Sequence, residues 1–219
     1  MDNYVGGIKR PFSDVKKLVA GVVFNIIPVV NFLALGYILE SGKLSIKKKG
    51  NLPEWNEVGH YFNLGFKGAV IAFVYLIPVW ILLSALFGVG YLYYSARSIS
   101  SLNQLELPTL AGNLGIFSLL AGGGILAALT VLLLIGVAYL LPLGLLHFMD
   151  EGKFKSAFHY KKIIKMSLNE KYLFPWAISA LYCLLVTLVL IWIPLVGLAF
   201  GTFVGGLSML TILGEAYNS

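Results

Sequence analysis

The chain has 219 residues, 58% hydrophobic and only 12% charged, with a mean hydropathy of +0.86 and a net charge of +6. Soluble domains run nearer half apolar and a quarter charged, so a water-soluble fold has nowhere to put this much apolar surface. Nor does the positive charge point to nucleic acid: the lysines sit directly beside apolar runs, where they act as topology signals and contacts for anionic headgroups.

In chain order, a tail with Lys9, Arg10, Lys16 and Lys17 leads into an apolar segment over 18–39. No small-residue cleavage site follows, so this segment is expected to be retained. Pro28 lies at its middle, between Asn25 and Asn31. A polar connector over 40–63 carries Lys43, Lys47, Lys48 and Lys49, then Leu52-Pro53-Glu54-Trp55. The second apolar segment, 65–94, contains Pro78, and a linker over 95–113 has one basic residue, Arg97. The stretch 114–148 is too long for one ordinary span; Gly122, Gly123 and Gly124 divide it, giving an interfacial part and a span over 125–147. A connector over 149–172 holds six lysines, including Lys161 and Lys162. The last stretch splits near Pro194 and Gly197 into spans over 173–193 and 195–213. Lone Cys183 lies in an apolar run and reads as a small buried apolar side chain.

The expected fold is all-α: a polytopic helical membrane bundle, one domain over 1–219, with about four full spans plus a Pro-broken N-terminal segment that is either re-entrant or kinked. Loops kept in the cytoplasm carry the Lys and Arg excess. If 18–39 crossed the bilayer, two groups of four basic residues would face opposite sides. If it turned at Pro28 and left where it entered, fourteen of the sixteen basic residues would be cytoplasmic, as would both termini. The obstacle is backbone, since each unpaired amide or carbonyl in lipid costs several kcal/mol. Asn25 and Asn31 could satisfy some of these groups. Candidate helix breaks or hinges are Pro28, Pro78 and Pro194, with Gly36 and Gly65. Two internal echoes suggest a repeat: Ile27-Pro28-Val29-Val30 with Ile193-Pro194-Leu195-Val196, and Glu40-Ser41-Gly42-Lys43 with Asp150-Glu151-Gly152-Lys153, each of the latter read as following a helix end.

Ionised residues are missing from the middle of every span, which argues against a proton-coupled pump and weakens the case for intramembrane proteolysis. Of His60, His147 and His159, none has a second histidine at i+3 or i+4. Glu57 near His60 and Asp150 near His147 are the carboxylates noted at helical spacing, so no metal or cofactor site is expected. Ser84, Thr130 and Thr187 are expected to bond to their own helix or a neighbour. Pro53, Glu54 and Glu57 suit a helix start, and Trp55, Tyr61 and Phe62 suit the headgroup layer. The segment therefore reads as an entry helix seating the second span, or as a docking site. Phe154, Ala157, Ile164 and Leu168 fall on one helical side, interrupted by Lys161 and Lys165.

The order Ile27-Pro28, Gly36-Tyr37, Leu52-Pro53-Glu54-Trp55 and Gly65 through Tyr75-Leu76-Ile77-Pro78, with Gly152-Lys153 and Ala157-Phe158 later, resembles the prokaryotic, mainly archaeal, integral membrane family catalogued as domain of unknown function 4013. The resemblance covers nearly the whole chain and implies a stand-alone membrane protein without supplying an activity. The function expected is non-enzymatic: a scaffold, complex subunit or lipid-organising element of the plasma membrane. The alternatives are a small permease or export component for neutral or apolar cargo, and, third, a lipid-active intramembrane enzyme. Expected contacts are anionic headgroups, a membrane-protein partner or a second copy, through Lys47, Lys48, Lys49, Pro53, Glu54, Trp55, Lys161 and Lys162.

Overall fold

The computed structural model describes residues 4–103, 109–190 and 192–217, among which every regular element is a helix and none is a strand. The helices are α1 (Tyr4–Lys9), α2 (Val15–Ile26), α3 (Asn31–Ile46), α4 (Val58–Asn103), α5 (Thr109–Glu151), α6 (Tyr160–Ser167), α7 (Glu170–Leu190) and α8 (Val196–Tyr217). Four are long and apolar enough to cross a membrane, over Val58–Leu92, Gly122–Glu151, Glu170–Leu190 and Val196–Tyr217. The chain divides into two compact units, Met1–Phe73 with Tyr139–Ser219, and Val74–Ala138.

In the first unit, Asp14 starts α2 by accepting hydrogen bonds from the amides of Lys16 and Lys17 at 3.0 and 3.1 Å. The helix stops at Ile27, whose extended backbone is what a residue preceding proline favours. Val29 then takes φ +70°, a left-handed conformation costly for a β-branched residue, and α3 runs back along α2. Ile193-Pro194 repeats this turn. Leu195 follows Pro194 with φ +64°, and the fifth residue of each motif donates to the isoleucine carbonyl, Asn31 to Ile27 at 2.9 Å and Gly197 to Ile193 at 2.8 Å. The other echo has no structural counterpart. Gly42 and Lys43 lie inside α3, whereas Gly152, at φ +69°, terminates α5.

Helix α8 is the axis of this unit. Two-thirds of its apolar window (67%) is buried, against 6–17% in the other three spans. Gly197, Gly201 and Gly205 face α7, where a Cβ at Gly197 would lie 2.0 Å from the Leu190 carbonyl oxygen and one at Gly205 3.0 Å from Cys183 Sγ. Without a hydrophobic force between helices in lipid, small residues let backbones approach and gain dispersion contacts. On the opposite side Asn25 Nδ2 donates to the Ala199 carbonyl at 2.9 Å and to Thr202 Oγ1 at 2.7 Å, so it ties α2 to α8 rather than serving its own turn. Tyr37, Leu39, Phe203, Val204, Leu207 and Leu213 fill the core.

Several expected boundaries move. Helix α4 continues through residues 95–103 and α5 begins at Thr109, so the linker expected over 95–113 is largely helical; 104–108 lie outside the described residues. Gly122, Gly123 and Gly124 do not divide α5. A helical glycine costs about 1 kcal/mol, whereas each backbone group unpaired in lipid costs several, so the helix persists. Pro78 likewise lies inside unbroken α4. Gly36 and Gly65 lie within α3 and α4, where a Cβ on either would sit 1.8 Å from the facing carbonyl oxygen, of Tyr61 and Phe32 respectively. In the second unit Ser84 bonds back to Ile81 at 2.8 Å and Thr130 to Leu126 at 2.7 Å, as Thr187 does to Cys183 at 2.8 Å in the first.

Candidate functional site

The two Pro turns lie together at one end of the first unit, joined by the Asn25 contacts to α8. The polar connectors gather at the other end. Arg10 is the hub: buried, it donates to Ser45 Oγ at 2.5 Å, the Lys49 carbonyl at 3.0 Å and the Asn51 carbonyl at 2.9 Å. Burial lowers the Arg10 pKa from its ordinary value, opposed by the negative charge of Glu215. An open recess of about 290 Å³ beside it is lined by Gly6, Lys9, Arg10, Ser13, Gly50 and Glu215.

The Leu52-Pro53-Glu54-Trp55 segment is not a helix start, because α4 begins at Val58. Side chains from α3 and α4 hold it open instead. Tyr37 donates to the Pro53 carbonyl at 3.1 Å, and Tyr61 donates to that of Glu54 at 2.6 Å. Trp55 stacks on Tyr37 at 4.1 Å between centroids and 12° between planes, meets Phe24 edge-on at 5.1 Å, and donates Nε1–H to the Lys17 carbonyl at 3.3 Å. Glu54 is exposed and pairs with Lys17 at 2.6 Å, while Pro53 is buried. The segment thus clips the start of α2 to α3 and α4. Trp55→Ala is expected to lower stability by about 2–3 kcal/mol, and Trp55→Phe, which keeps a ring but loses the donor, by about 1 kcal/mol, read as thermal unfolding in detergent.

Lys47, Lys48 and Lys49 are exposed just after α3, with Lys48 at φ +56°. On the later connector, residues 154–158 form a 3-10 turn before α6. Here the expected apolar face is divided. Ala157 and Ile163 are buried, whereas Phe154, Tyr160, Ile164 and Leu168 are exposed, at 37%, 46%, 47% and 80%. Exposed Lys155, Lys161, Lys162 and Lys165 alternate with them.

Beneath that connector is a cluster that the spacing argument passes over. His147, fully buried, lies one helical turn before Glu151, and its Nε2 is 3.2 Å from Glu151 Oε1. The connector folds back to bring His159 over it, with the two imidazole centroids 5.9 Å apart. Lys162 Nζ approaches Glu151 Oε1 at 3.2 Å, and His147 Nδ1 is 2.6 Å from the Tyr217 hydroxyl. The i,i+4 pair was available in the sequence; the approach of His159 was not. His60 is elsewhere, 3.3 Å from Glu40.

Four apolar spans, a core built on a glycine stripe, and charged groups gathered at the end of the first unit define a multi-pass α-helical membrane protein. The family model described as "Protein of unknown function (DUF4013)" matches residues 19–212, and the chain belongs to that family. No curated protein and no solved structure matches it.

Proposed function

We propose that this protein is a lipid-organising scaffold of the cell membrane that holds anionic headgroups at a basic, cytoplasmic end. The observation that carries the reading is the connector over 154–168, where exposed Phe154, Tyr160, Ile164 and Leu168 stand among exposed Lys155, Lys161, Lys162 and Lys165. Exposed apolar groups flanked by cations, beside the end of an apolar span, suit the boundary between acyl chains and headgroups. Two further groups point the same way: the Lys47 to Lys49 run, and exposed Lys9 at the recess beside Arg10, which Glu215 also lines. In this reading the α2–α3 hairpin dips into the bilayer and returns to the side it left, so that the tail, both basic connectors and the end of α8 share the cytoplasmic face.

Each lysine near an anionic surface contributes about 1 kcal/mol. Replacing Lys47, Lys48, Lys49, Lys155, Lys161 and Lys165 together by glutamine is therefore expected to reduce the anionic lipid that copurifies by roughly tenfold or more relative to zwitterionic lipid, measured by mass spectrometry of the detergent extract. Unchanged anionic enrichment would remove the reading. Flux of neutral solutes through reconstituted wild-type vesicles would replace it with transport.

A further inference from the structure

We propose that His147, Glu151 and His159 form a binding site for one divalent cation of the zinc class. One ligand atom from each lies within 4.8 Å of the others. Two imidazoles and a carboxylate are a donor set that such an ion takes, and three protein ligands leave a fourth position for water.

The hydrogen bonds around His147 argue for the cation independently of the cluster. Its Nε2 is completely buried and makes no hydrogen bond among the described residues: Glu151 Oε1 is near at 3.2 Å but is not aligned to accept one. The opposite nitrogen, Nδ1, lies 2.6 Å from the Tyr217 hydroxyl. In the proposed site Nδ1–H donates to that hydroxyl, which turns the Nε2 lone pair toward the Glu151 oxygen. A cation held between that lone pair and the carboxylate would satisfy both. A ligating histidine that donates its other N–H to a fixed oxygen is the usual second layer of a metal site.

Distances suit the ion. Metal–ligand bonds of about 2.0–2.1 Å in a tetrahedron place ligand atoms about 3.3 Å apart. The His147–Glu151 separation of 3.2 Å is already one such edge. The second imidazole has only to swing inward from the exposed connector, whose 3-10 turn is tied to α5 by Ser156 Oγ donating to the His147 carbonyl at 3.2 Å. His159 is exposed and the Glu151 side chain is 31% exposed, so the ion has a path from water. Lys162 now supplies part of the missing charge at 3.2 Å from Glu151 Oε1 and would compete with the ion. Bound metal would pin the basic connector to the end of α5.

The test uses full-length protein in detergent, stripped with chelator and titrated with Zn²⁺ alone, and with Co²⁺ for its visible spectrum. One ion per chain is expected, with a tetrahedral cobalt band and a rise in Tm on adding zinc. Glu151→Gln and His159→Gln, both at solvent-accessible positions, are expected to weaken binding at least tenfold while leaving the metal-free Tm near that of wild type. Lys162→Gln is expected to bind more tightly, because it removes the competing ammonium; a purely structural ion-pair cluster would not give that opposite sign. His60→Gln, with its own Glu40 contact, is expected to change nothing. Absence of stoichiometric binding, or binding indifferent to Glu151 and His159, would overturn the site.

Discussion

Alanine at Gly36 or Gly65 is expected to cost about 3 kcal/mol or more. The two glycines form a reciprocal crossing of α3 and α4. A Cβ on Gly36 would lie 1.8 Å from the Tyr61 carbonyl oxygen, and one on Gly65 1.8 Å from that of Phe32. Both obstacles are backbone in packed helices, so neither yields by a change of rotamer. Gly36 immediately precedes Tyr37 and Gly65 lies one turn after Tyr61, whose hydroxyls hold the 52–55 segment, so separating the helices also loosens that clip. Gly59→Ala is the control, because it lies near the start of α4 with nothing within 4 Å of a new Cβ. It is expected to gain about 0.5–1 kcal/mol from helix propensity. Thermal unfolding of the three variants in one detergent compares them, and equal Tm values for all three would contradict the packing described.

Arg10→Met is expected to lower stability by about 2–4 kcal/mol, and Arg10→Lys to recover little of it. Three acceptors from two places, Ser45 on α3 and the carbonyls of Lys49 and Asn51 after it, converge on one guanidinium. A lysine ammonium is a single point and does not reproduce a planar fork reaching three oxygens. Methionine fills similar volume, so the loss would report the hydrogen bonds rather than a cavity. The effect should be local as well as global: proteolysis in the 47–57 connector is expected to accelerate in Arg10→Met before the spans unfold. A variant with wild-type Tm and an equally protected connector would show that the clamp contributes nothing.

The parts of this fold that were legible in the sequence are those that hydrocarbon enforces. Long uncharged runs gave four spans at nearly their observed places, and Pro28 and Pro194 lie at the turns of the α2–α3 and α7–α8 hairpins, where the next residue takes a positive φ; the remaining Ile-Pro, Ile77-Pro78, stays inside α4, so the dipeptide alone does not mark a turn. Helix ends were less legible. Glycine triplets and a polar linker are breakers in water, but residues 95–103 and 122–124 stay helical, since a membrane raises the cost of opening backbone hydrogen bonds. The central position of α8 was also obscured: lipid is as apolar as a core, so hydropathy does not separate a buried helix from an exposed one. The signal was instead the four-residue spacing of Gly197, Gly201 and Gly205. At the polar end, the lysines and Trp55 were visible, but the inward direction of Trp55 depends on Tyr37 and Phe24, which lie far from it in sequence. The His147–Glu151–His159 cluster needs a connector folded back over α5, a contact that local spacing does not encode.

The central claim is that the tail, the 47–57 connector and the 150–169 connector face the same compartment, and one labelling experiment addresses it. In a Cys183→Ala background, single cysteines replacing Lys16, Lys48 or Lys161 are exposed to a membrane-impermeant thiol reagent, first in intact cells and then in inverted vesicles. The account predicts that all three are protected in cells and all three react in vesicles. Reaction of Lys48→Cys from outside intact cells, with Lys16→Cys protected, would mean that the first apolar segment crosses the bilayer, contradicting it.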